Sequence, residues 1–408
     1  MFLTTRRWGL IPALLSGLIA ALAFPQLGLG AYAWLGALAL ALWALWLMQS
    51  ASLAGKAAPY RWFYAGVLAG FALLFRPDLV VALALAAFVF LRSSSKQDRI
   101  WFVGGAVLGS APFLVQLGMA GIRAVGRNLV IDAVFRIHSG RKLPLPSGWS
   151  LQSVEFWLLF GVTATLILLN FVIWRRTRKT DPARVYLAYG LFSGAILTQP
   201  IQRADLTHVN FVACVILALT PLLVTGIVQQ FNTTPVAAVI AALVVSLAIL
   251  WGQWSLDQPY LQPASAPVTV NGRTFPVSDP NQAATITWML GDLTQHAQTG
   301  DRLFVGPTDL SRTPLNDTYF YFLMPNLTPA TYFLEMNPGS ANAPGSRLAS
   351  DLKTADFVIL DDVYEYWGEP NTANQPGSTE ANSVLKAMFC PLGDYGGFHV
   401  LQRCRPAG

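Results

Sequence analysis

A short polar stretch between two apolar runs holds the residues of this chain that are best suited to chemistry. Residues 202–208 read Gln-Arg-Ala-Asp-Leu-Thr-His, which places Arg203, Asp205 and His208 within six residues at the mouth of an apolar segment. Ionisable groups are costly there unless they face water or a partner charge, and they often mark substrate pathways or proton relays. The alternative is an ordinary loop in which Arg203 and Asp205 only pair with each other.

A second charge pair, Arg76 and Asp78, flanks Pro77 between two short apolar runs. A single kinked helix over residues 62–91 would be about 45 Å long, against a hydrocarbon core of about 30 Å. A hairpin that turns at Pro77 instead puts both charges near one membrane surface, where they cost less. Counting Lys and Arg gives 12 cytoplasmic and 7 outer residues for the hairpin, and 10 against 8 for the single helix. We therefore favour the hairpin.

The composition predicts a polytopic α-helical membrane protein, because 54% of the 408 residues are hydrophobic and only 12% are charged. We expect about nine transmembrane helices and a cytoplasmic N-terminus. For the first helix, a signal peptide cleaved after Ala21-Leu22-Ala23 is the alternative. The predicted spans are residues 8–24, 29–48, 62–75, 79–91, 101–119, 153–174, 185–200, 209–229 and 235–254.

The balance of charge changes near residue 255. Residues 1–254 hold 19 Lys/Arg and 6 Asp/Glu, whereas residues 255–408 hold 8 and 15. This change predicts a basic transmembrane domain over 1–254, a Pro- and Gln-rich linker over 255–270 and a water-soluble domain over 271–408. The soluble part has no basic helix or basic–aromatic patch, so we expect no nucleic-acid partner.

Helix and strand signals alternate in the soluble part, which predicts a small extracytoplasmic α/β domain with a partly parallel sheet. Asp361 and Asp362 end one strand, and we expect a solvated loop there rather than a metal site, which needs more oxygen ligands. The sequence has no Gly-Lys-Ser/Thr phosphate loop, which argues against a nucleotide-driven pump. The predicted elements are helices 281–296, 346–354 and 381–388 and strands 302–305, 357–360 and 398–402.

With nine spans, Arg76, Asp78, the long loop over 120–150, residues 203–208 and the C-terminal domain all emerge on the outer face. The long loop has apolar positions at near-helical spacing, which predicts a short helix along the membrane interface.

Four residues of the long loop form a basic group, which holds a lipid-linked phosphate or else merely meets anionic head groups. The sequence favours neither. They are Arg136, His138, Arg141 and Lys142.

Cysteine usage agrees with an outer location for the C-terminal domain. Cys214 lies within a span, whereas Cys390 and Cys404 flank a turn and the last predicted strand. A disulfide between these two would be natural in an oxidising compartment.

The chain resembles bacterial membrane-embedded glycosyltransferases of the GT-C class, of the dolichyl-phosphate-mannose mannosyltransferase-like kind. The resemblance covers most of residues 60–408 and depends on the order of several short motifs. They are Phe-Arg-Pro-Asp-Leu at 75–79, Arg-Lys-Leu-Pro-Leu-Pro at 141–146, residues 202–208, Tyr-Phe-Tyr-Phe-Leu-Met-Pro at 319–325 and Pro-Ala-Thr-Tyr at 329–332.

Such enzymes take a sugar from a polyprenyl-phosphate carrier at the outer leaflet of the plasma membrane and pass it to a glycan, lipid or protein acceptor. The resemblance implies that Arg203 and His208 bind the carrier phosphate. Arg76 either joins them or serves only as the structural partner of Asp78. The resemblance also implies that Asp78 and Asp205 orient these groups, or that one of the two deprotonates the acceptor hydroxyl. It implies no certain cofactor and leaves the need for a divalent cation open.

The first outer turn departs from the family pattern. Residues 25–28 read Pro-Gln-Leu-Gly and lack the carboxylate that the family normally carries in its first large outer loop. Three explanations stay open: the chain lacks N-terminal spans, another residue supplies the base, or the protein is a non-catalytic partner subunit. A transporter that uses Asp78 and Asp205 as relays is a further alternative, although the sequence shows no inverted repeat.

Overall fold

The chain divides into two compact units, the helical unit (residues 1–125 and 145–261) and the sheet unit (residues 126–144 and 262–408). Residues 126–144, which the sequence analysis assigns to the transmembrane domain, thus group with the sheet unit. The structure is a computed structural model. It describes residues 1–24, 33–54, 59–127, 129, 131, 142–177, 180–231, 234–257, 266–277, 279–362 and 375–404.

The helical unit has a helix at each of the nine predicted spans. Among the described residues, five of these helices are long and apolar enough to cross a membrane (α2, α5, α6, α8 and α9 below), as a multi-pass membrane protein requires. The count of nine spans stays a prediction. The helices are α1 Leu10–Leu22, α2 Ala33–Ala54, α3 Pro59–Phe75, α4 Val80–Leu91, α5 Lys96–Ala120, α6 Leu151–Thr177, α7 Thr180–Ile196, α8 Leu206–Gln229 and α9 Pro235–Asp257.

Glycines bring α3 and α5 into main-chain contact. A Cβ added at Gly66 would overlap the main chain of α5 near Phe102 and Ala106, and one at Gly70 would overlap it further on, near Gly109. A later residue of α3 thus contacts a later part of α5, so the two helices run parallel. Small residues four apart are the usual device for such close packing of membrane helices.

This parallel packing decides how the chain runs at Pro77. Since α3 and α5 point the same way, α4 between them returns in the opposite direction. Arg76 has extended backbone angles and Pro77 begins a short 3-10 turn, Pro77–Leu79, so the chain leaves α3 before it enters α4. The structure therefore agrees with the predicted hairpin and not with one continuous helix over 62–91.

Helix α8 is the central helix of the unit. Within its most apolar window 83% of the residues are buried, against 11% for α5, which lies at the periphery. Leu217–Leu219 forms a 3-10 turn inside α8, directly before Pro221, whose ring cannot follow a regular helical turn. The N-terminus of α8 is capped by Asp205, whose side chain accepts a hydrogen bond from His208 N.

Arginines bind main-chain carbonyls and hydroxyls at the helix ends opposite Pro77. Arg61 at the start of α3 donates to the Ser50 carbonyl, and Arg99 at the start of α5 donates to the Leu91 carbonyl at the end of α4. Arg184 near the start of α7 binds the Ser93 hydroxyl. These hydrogen bonds tie the starts of α3, α5 and α7 to the chain near the ends of α2 and α4. The predicted topology puts these helix ends on the cytoplasmic side, and that side stays a prediction.

The sheet unit contains a mixed five-stranded sheet in the order β4-β3-β5-β7-β6. Strand β3 pairs in parallel with β4 and β5, whereas β5–β7 and β7–β6 are antiparallel. Apolar clusters cover both faces, with α10 on one and α12 and α13 on the other. The elements are β1 Ala266–Val270, β2 Arg273–Val277, α10 Pro280–His296, β3 Arg302–Pro307, α11 Tyr319–Leu323, β4 Thr328–Pro329, α12 Leu348–Leu352, β5 Phe357–Asp361, α13 Glu380–Met388, β6 Phe389–Asp394 and β7 Phe398–Arg403.

The predicted linker over 255–270 is wrong at both ends. Helix α9 continues to Asp257, and β1 begins at Ala266 and pairs with β2 in a hairpin. The two-residue turn between them is Asn271-Gly272, where both residues have positive φ, as the common two-residue hairpin turn requires.

Strand β6 occupies residues for which the sequence predicts only a turn after Cys390. A register shift between Pro391 and Gly393 interrupts its pairing with β7, which explains why it lacks a regular strand pattern. The structure contains the disulfide between Cys390 and Cys404 that the sequence analysis expects, and it ties this edge strand to the end of β7.

Candidate functional site

The Arg76–Asp78 pair closes the turn between α3 and α4. Arg76 Nε and Nη2 donate to the two carboxylate oxygens of Asp78, at 2.9 and 2.7 Å. Gln199, 121 residues later, donates from Nε2 to Asp78 Oδ2 at 2.6 Å. The pair is thus bidentate and anchored to the segment after α7, while its side chains stay partly exposed.

Trp34 lies beneath this pair at the start of α2. The Arg76 guanidinium lies over its ring, with 4.7 Å from Cζ to the ring centroid. The indole N–H donates to the Phe211 carbonyl on α8 at 2.7 Å. Trp34 is 1% exposed, so this hydrogen bond satisfies a donor that has no access to water.

The second charged group, Arg203, Asp205 and His208, surrounds the start of α8. Arg203 Nε donates to Asp205 Oδ2 at 2.5 Å. His208 N donates to Asp205 Oδ1 at 2.8 Å, and His208 Nδ1 lies 2.8 Å from the same oxygen. The pairing expected from the loop alternative is therefore present, and Asp205 also serves as the helix cap.

The pKa of Asp205 reflects two opposing effects. Partial burial alone would raise it, but the hydrogen bonds and charge of His208, with the charge of Arg203, outweigh burial and hold the pKa below its usual value. Asp205 is therefore ionised near neutral pH. A carboxylate bound this way is a weak proton acceptor, so its geometry suits positioning of Arg203 better than proton abstraction.

Aromatic contacts join the two charged groups at one end of the helical unit. The Phe211 ring packs against Trp34 on one side, with centroids 6.0 Å apart, and against His208 on the other, at 5.7 Å. These residues therefore form a continuous series of contacts: Asp78 with Arg76, Arg76 with Trp34, Trp34 with Phe211, and Phe211 with His208. We call this group the paired-arginine site; it comprises Trp34, Arg76, Asp78, Gln199, Arg203, Asp205, His208 and Phe211.

An apolar cavity of about 470 Å³ begins close to the paired-arginine site, although none of the eight site residues lines it. Leu35 follows Trp34 in the chain, and Cys214 lies about one helical turn beyond Phe211, so both elements of the site contribute to its wall. Along α2 the lining continues to Trp46, which corresponds to about 16 Å of helix. The cavity is lined by Met1, Phe2, Leu3, Thr4, Ala20, Phe24, Leu35, Leu38, Ala39, Leu42, Trp43, Trp46, Cys214 and Val215.

The other predicted site residues are distributed differently. Arg136, His138 and Arg141 lie outside the described residues, as does most of the predicted interfacial helix. Lys142 is exposed and belongs to the sheet unit.

The predicted solvated loop at Asp361 and Asp362 is only partly correct. Asp361 is buried at the end of β5, whereas Asp362 is more exposed and its Oδ2 lies 3.7 Å from His399 Nε2. Within the described ranges, no three His, Cys, Asp or Glu side chains are close enough to hold a metal ion.

The motif reading missed several residues that the structure places in or near the site. Trp34, Gln199 and Phe211 carry no sequence signal, because their contacts span more than a hundred residues. Glu155 is also informative: it is 5% exposed in α6 and accepts a hydrogen bond from Gln253 of α9. An isolated acidic residue in an apolar span was the available signal.

Comparison with known proteins finds no family model that matches the chain and no curated protein with significant sequence similarity to it. The resemblance to GT-C enzymes therefore stays an expectation from the sequence motifs.

Proposed function

We propose that this protein is a membrane glycosyltransferase that moves a sugar from a polyprenyl-phosphate carrier to an acceptor at the outer leaflet of a bacterial plasma membrane. The observation that carries the proposal is the paired-arginine site. Two arginines, each oriented by an aspartate, lie at one end of a helical unit beside an apolar cavity.

The arginines suit the leaving group. When the bond between the sugar and the carrier phosphate breaks, negative charge grows on the phosphate, and oriented cations stabilise that charge. Asp78 and Asp205 hold Arg76 and Arg203 in fixed positions, which spares the reaction the cost of ordering them. His208 supplies a further polar group beside Arg203.

The apolar cavity suits the carrier chain. Its volume is within the range of about 300–1,000 Å³ that is usual for ligand sites. Its lining is almost entirely hydrocarbon and aromatic, which favours an isoprenoid chain over a polar molecule. A chain in this cavity would bring its phosphate towards Trp34 and hence towards Arg76.

Asp78 is the better candidate for the base that deprotonates the acceptor hydroxyl. Its side chain is 40% exposed, against 29% for Asp205, which is committed to the cap of α8. In this assignment Gln199 positions the Asp78 carboxylate, and Arg76 and Arg203 bind the phosphate.

A non-catalytic partner subunit is the second candidate, and one observation favours it. The carboxylate oxygens of Asp78 and Asp205 already accept hydrogen bonds, from Arg76 and Arg203 among others, and these bonds compete with the proton of an acceptor hydroxyl. Such a protein would bind the carrier but depend on another chain for the base.

The test is sugar transfer from a radiolabelled panel of polyprenyl-phosphate sugars by the purified protein. We expect Asp78→Asn to abolish turnover while carrier binding remains, and Arg203→Ala to weaken both. Carrier binding without any turnover in the wild type would support the partner subunit, and the absence of both would refute the proposal.

A further inference from the structure

A tryptophan on the surface of the sheet unit is held in a defined orientation. Trp288 on α10 is 66% exposed, whereas tryptophan is highly buried on average. Its indole stands nearly perpendicular to the ring of Tyr395, with 5.0 Å between the centroids. Because Tyr395 is itself buried, it fixes the indole from the protein side and leaves much of it in solvent.

Polar groups follow Trp288 along the same face of α10. Asp292 and His296 come one and two turns later, at the four-residue spacing that aligns side chains on a helix. The Tyr395 hydroxyl donates to the Asp292 carboxylate and so orients it. His296 Nδ1 lies 3.0 Å from the Asp292 carbonyl oxygen, which fixes the imidazole beside the carboxylate.

The surface of α10 next to the Trp288 indole is not covered by a side chain. A Cβ added at Gly291 would meet no atom within 4 Å, so no side chain of α10 covers the indole there. An exposed aromatic ring next to hydrogen-bonding side chains offers an apolar contact and polar contacts within one small area.

Charge limits what this surface can bind. Residues 255–408 hold 15 Asp/Glu against 8 Lys/Arg, and the Asp292 carboxylate lies one helical turn from Trp288. Phosphates, nucleic acids and anionic lipid head groups are therefore disfavoured. A neutral sugar fits, because the C–H face of a pyranose packs on an indole and its hydroxyls donate to a carboxylate or an imidazole.

We propose that Trp288, Asp292 and His296 form a binding site for an uncharged saccharide, the acceptor of the transfer reaction. This inference rests on the proposed function in one respect, since it selects a glycan from the glycan, lipid and protein acceptors. The binding itself needs neither the carrier nor turnover.

The test is equilibrium binding of the full-length protein in detergent micelles to a panel of neutral hexose and pentose oligosaccharides. We expect Trp288→Ala to weaken binding at least tenfold, Trp288→Phe to weaken it less, and Asp292→Ala to weaken it several-fold. Tyr332→Ala is the matched control, because Tyr332 is also an exposed aromatic residue of the sheet unit, and it should bind as the wild type does.

Two results would overturn the inference: no oligosaccharide binds the wild type, or Trp288→Ala binds as well as the wild type. Saccharide binding that needs Trp288 without any sugar transfer would support the inference and refute the proposed function. Transfer to a lipid or protein acceptor that is unchanged in Trp288→Ala would do the reverse.

Discussion

The indole N–H of Trp34 donates a hydrogen bond to the main-chain carbonyl of Phe211, 177 residues later, and the Arg76 guanidinium lies over the same indole. Trp34 thus links the turn after α3 to the start of α8. Gln199, four residues before Arg203, provides a second connection through its hydrogen bond to Asp78.

Trp34→Phe tests this link. The phenyl ring still packs beneath Arg76 but cannot donate to the Phe211 carbonyl, so one buried hydrogen bond is lost at a cost of about 0.5–1.5 kcal/mol. The smaller ring also leaves a void in the packing. We expect a lower midpoint of thermal unfolding in micelles. Trp251→Phe is the control, because Trp251 is 72% exposed. Equal shifts in the two variants would argue against the link.

Gly105→Val tests the close packing of α3 and α5. A Cβ at Gly105 would overlap the Phe63 carbonyl, so the helices must separate, which costs more than the about 1–3 kcal/mol of ordinary overpacking. Gly104→Val places the same side chain one residue earlier, where a Cβ meets nothing within 4 Å. We expect a low yield and a lowered midpoint of thermal unfolding for Gly105→Val alone. Similar behaviour of the two variants would contradict the close packing of α3 and α5.

The disulfide gives a prediction for the sheet unit. Cys390 and Cys404 are 14 residues apart, and a closed loop of about 15 residues is worth about 3 kcal/mol in the chain-entropy model. We expect Cys404→Ser to destabilise the sheet unit by up to this amount. In the exported wild type, the combined mass of the peptides that contain Cys390 and Cys404 should rise by two hydrogens only after reduction. Free thiols at these cysteines before reduction would refute the bond.

The lowered pKa of Asp309 makes the stability of the sheet unit depend on pH in the acid range. Burial alone would raise its pKa, but hydrogen bonds from Asn382 and Ser311 outweigh burial and hold the pKa below its usual value. A carboxylate with a lowered folded-state pKa stabilises the protein above its unfolded-state pKa, about 3.9, and loses that contribution as the pH falls through the lower folded value.

Asp309→Asn should therefore lose less stability than the wild type when the pH falls from about 5 to about 3. Asp394→Asn is the control, since the Asp394 side chain is 73% exposed. The measurement is the unfolding midpoint of the sheet unit against pH in the full-length protein. An unchanged slope in Asp309→Asn would contradict the assignment.

The sequence predicts the positions of the helices in the helical unit because long apolar runs leave few alternatives. It predicts the break at Pro77 because Arg76 and Asp78 are costly inside a membrane. It does not predict the β1–β2 hairpin, although Asn271-Gly272 is a hairpin signal, because the Pro- and Gln-rich composition before it indicates a linker. Within the site, Arg203 and Asp205 are two residues apart in sequence and can be recognised together.

Trp34, Gln199 and Phe211 could not be found in this way. Each joins the site through a partner far away in the chain, and nothing local distinguishes Trp34 from the chain's other 12 tryptophans. Such contacts depend on which helices become neighbours, and apolar periodicity alone does not specify that.

Equilibrium binding of a polyprenyl phosphate to the full-length protein tests the central claim most directly, with Arg76→Ala, Arg203→Ala and Arg61→Ala compared. Arg61 is the control because it lies at the start of α3, at the opposite end of this helix from Arg76. The paired-arginine site predicts at least a tenfold loss of affinity for Arg76→Ala and for Arg203→Ala, and no change for Arg61→Ala. Equal affinity in all three variants would contradict it.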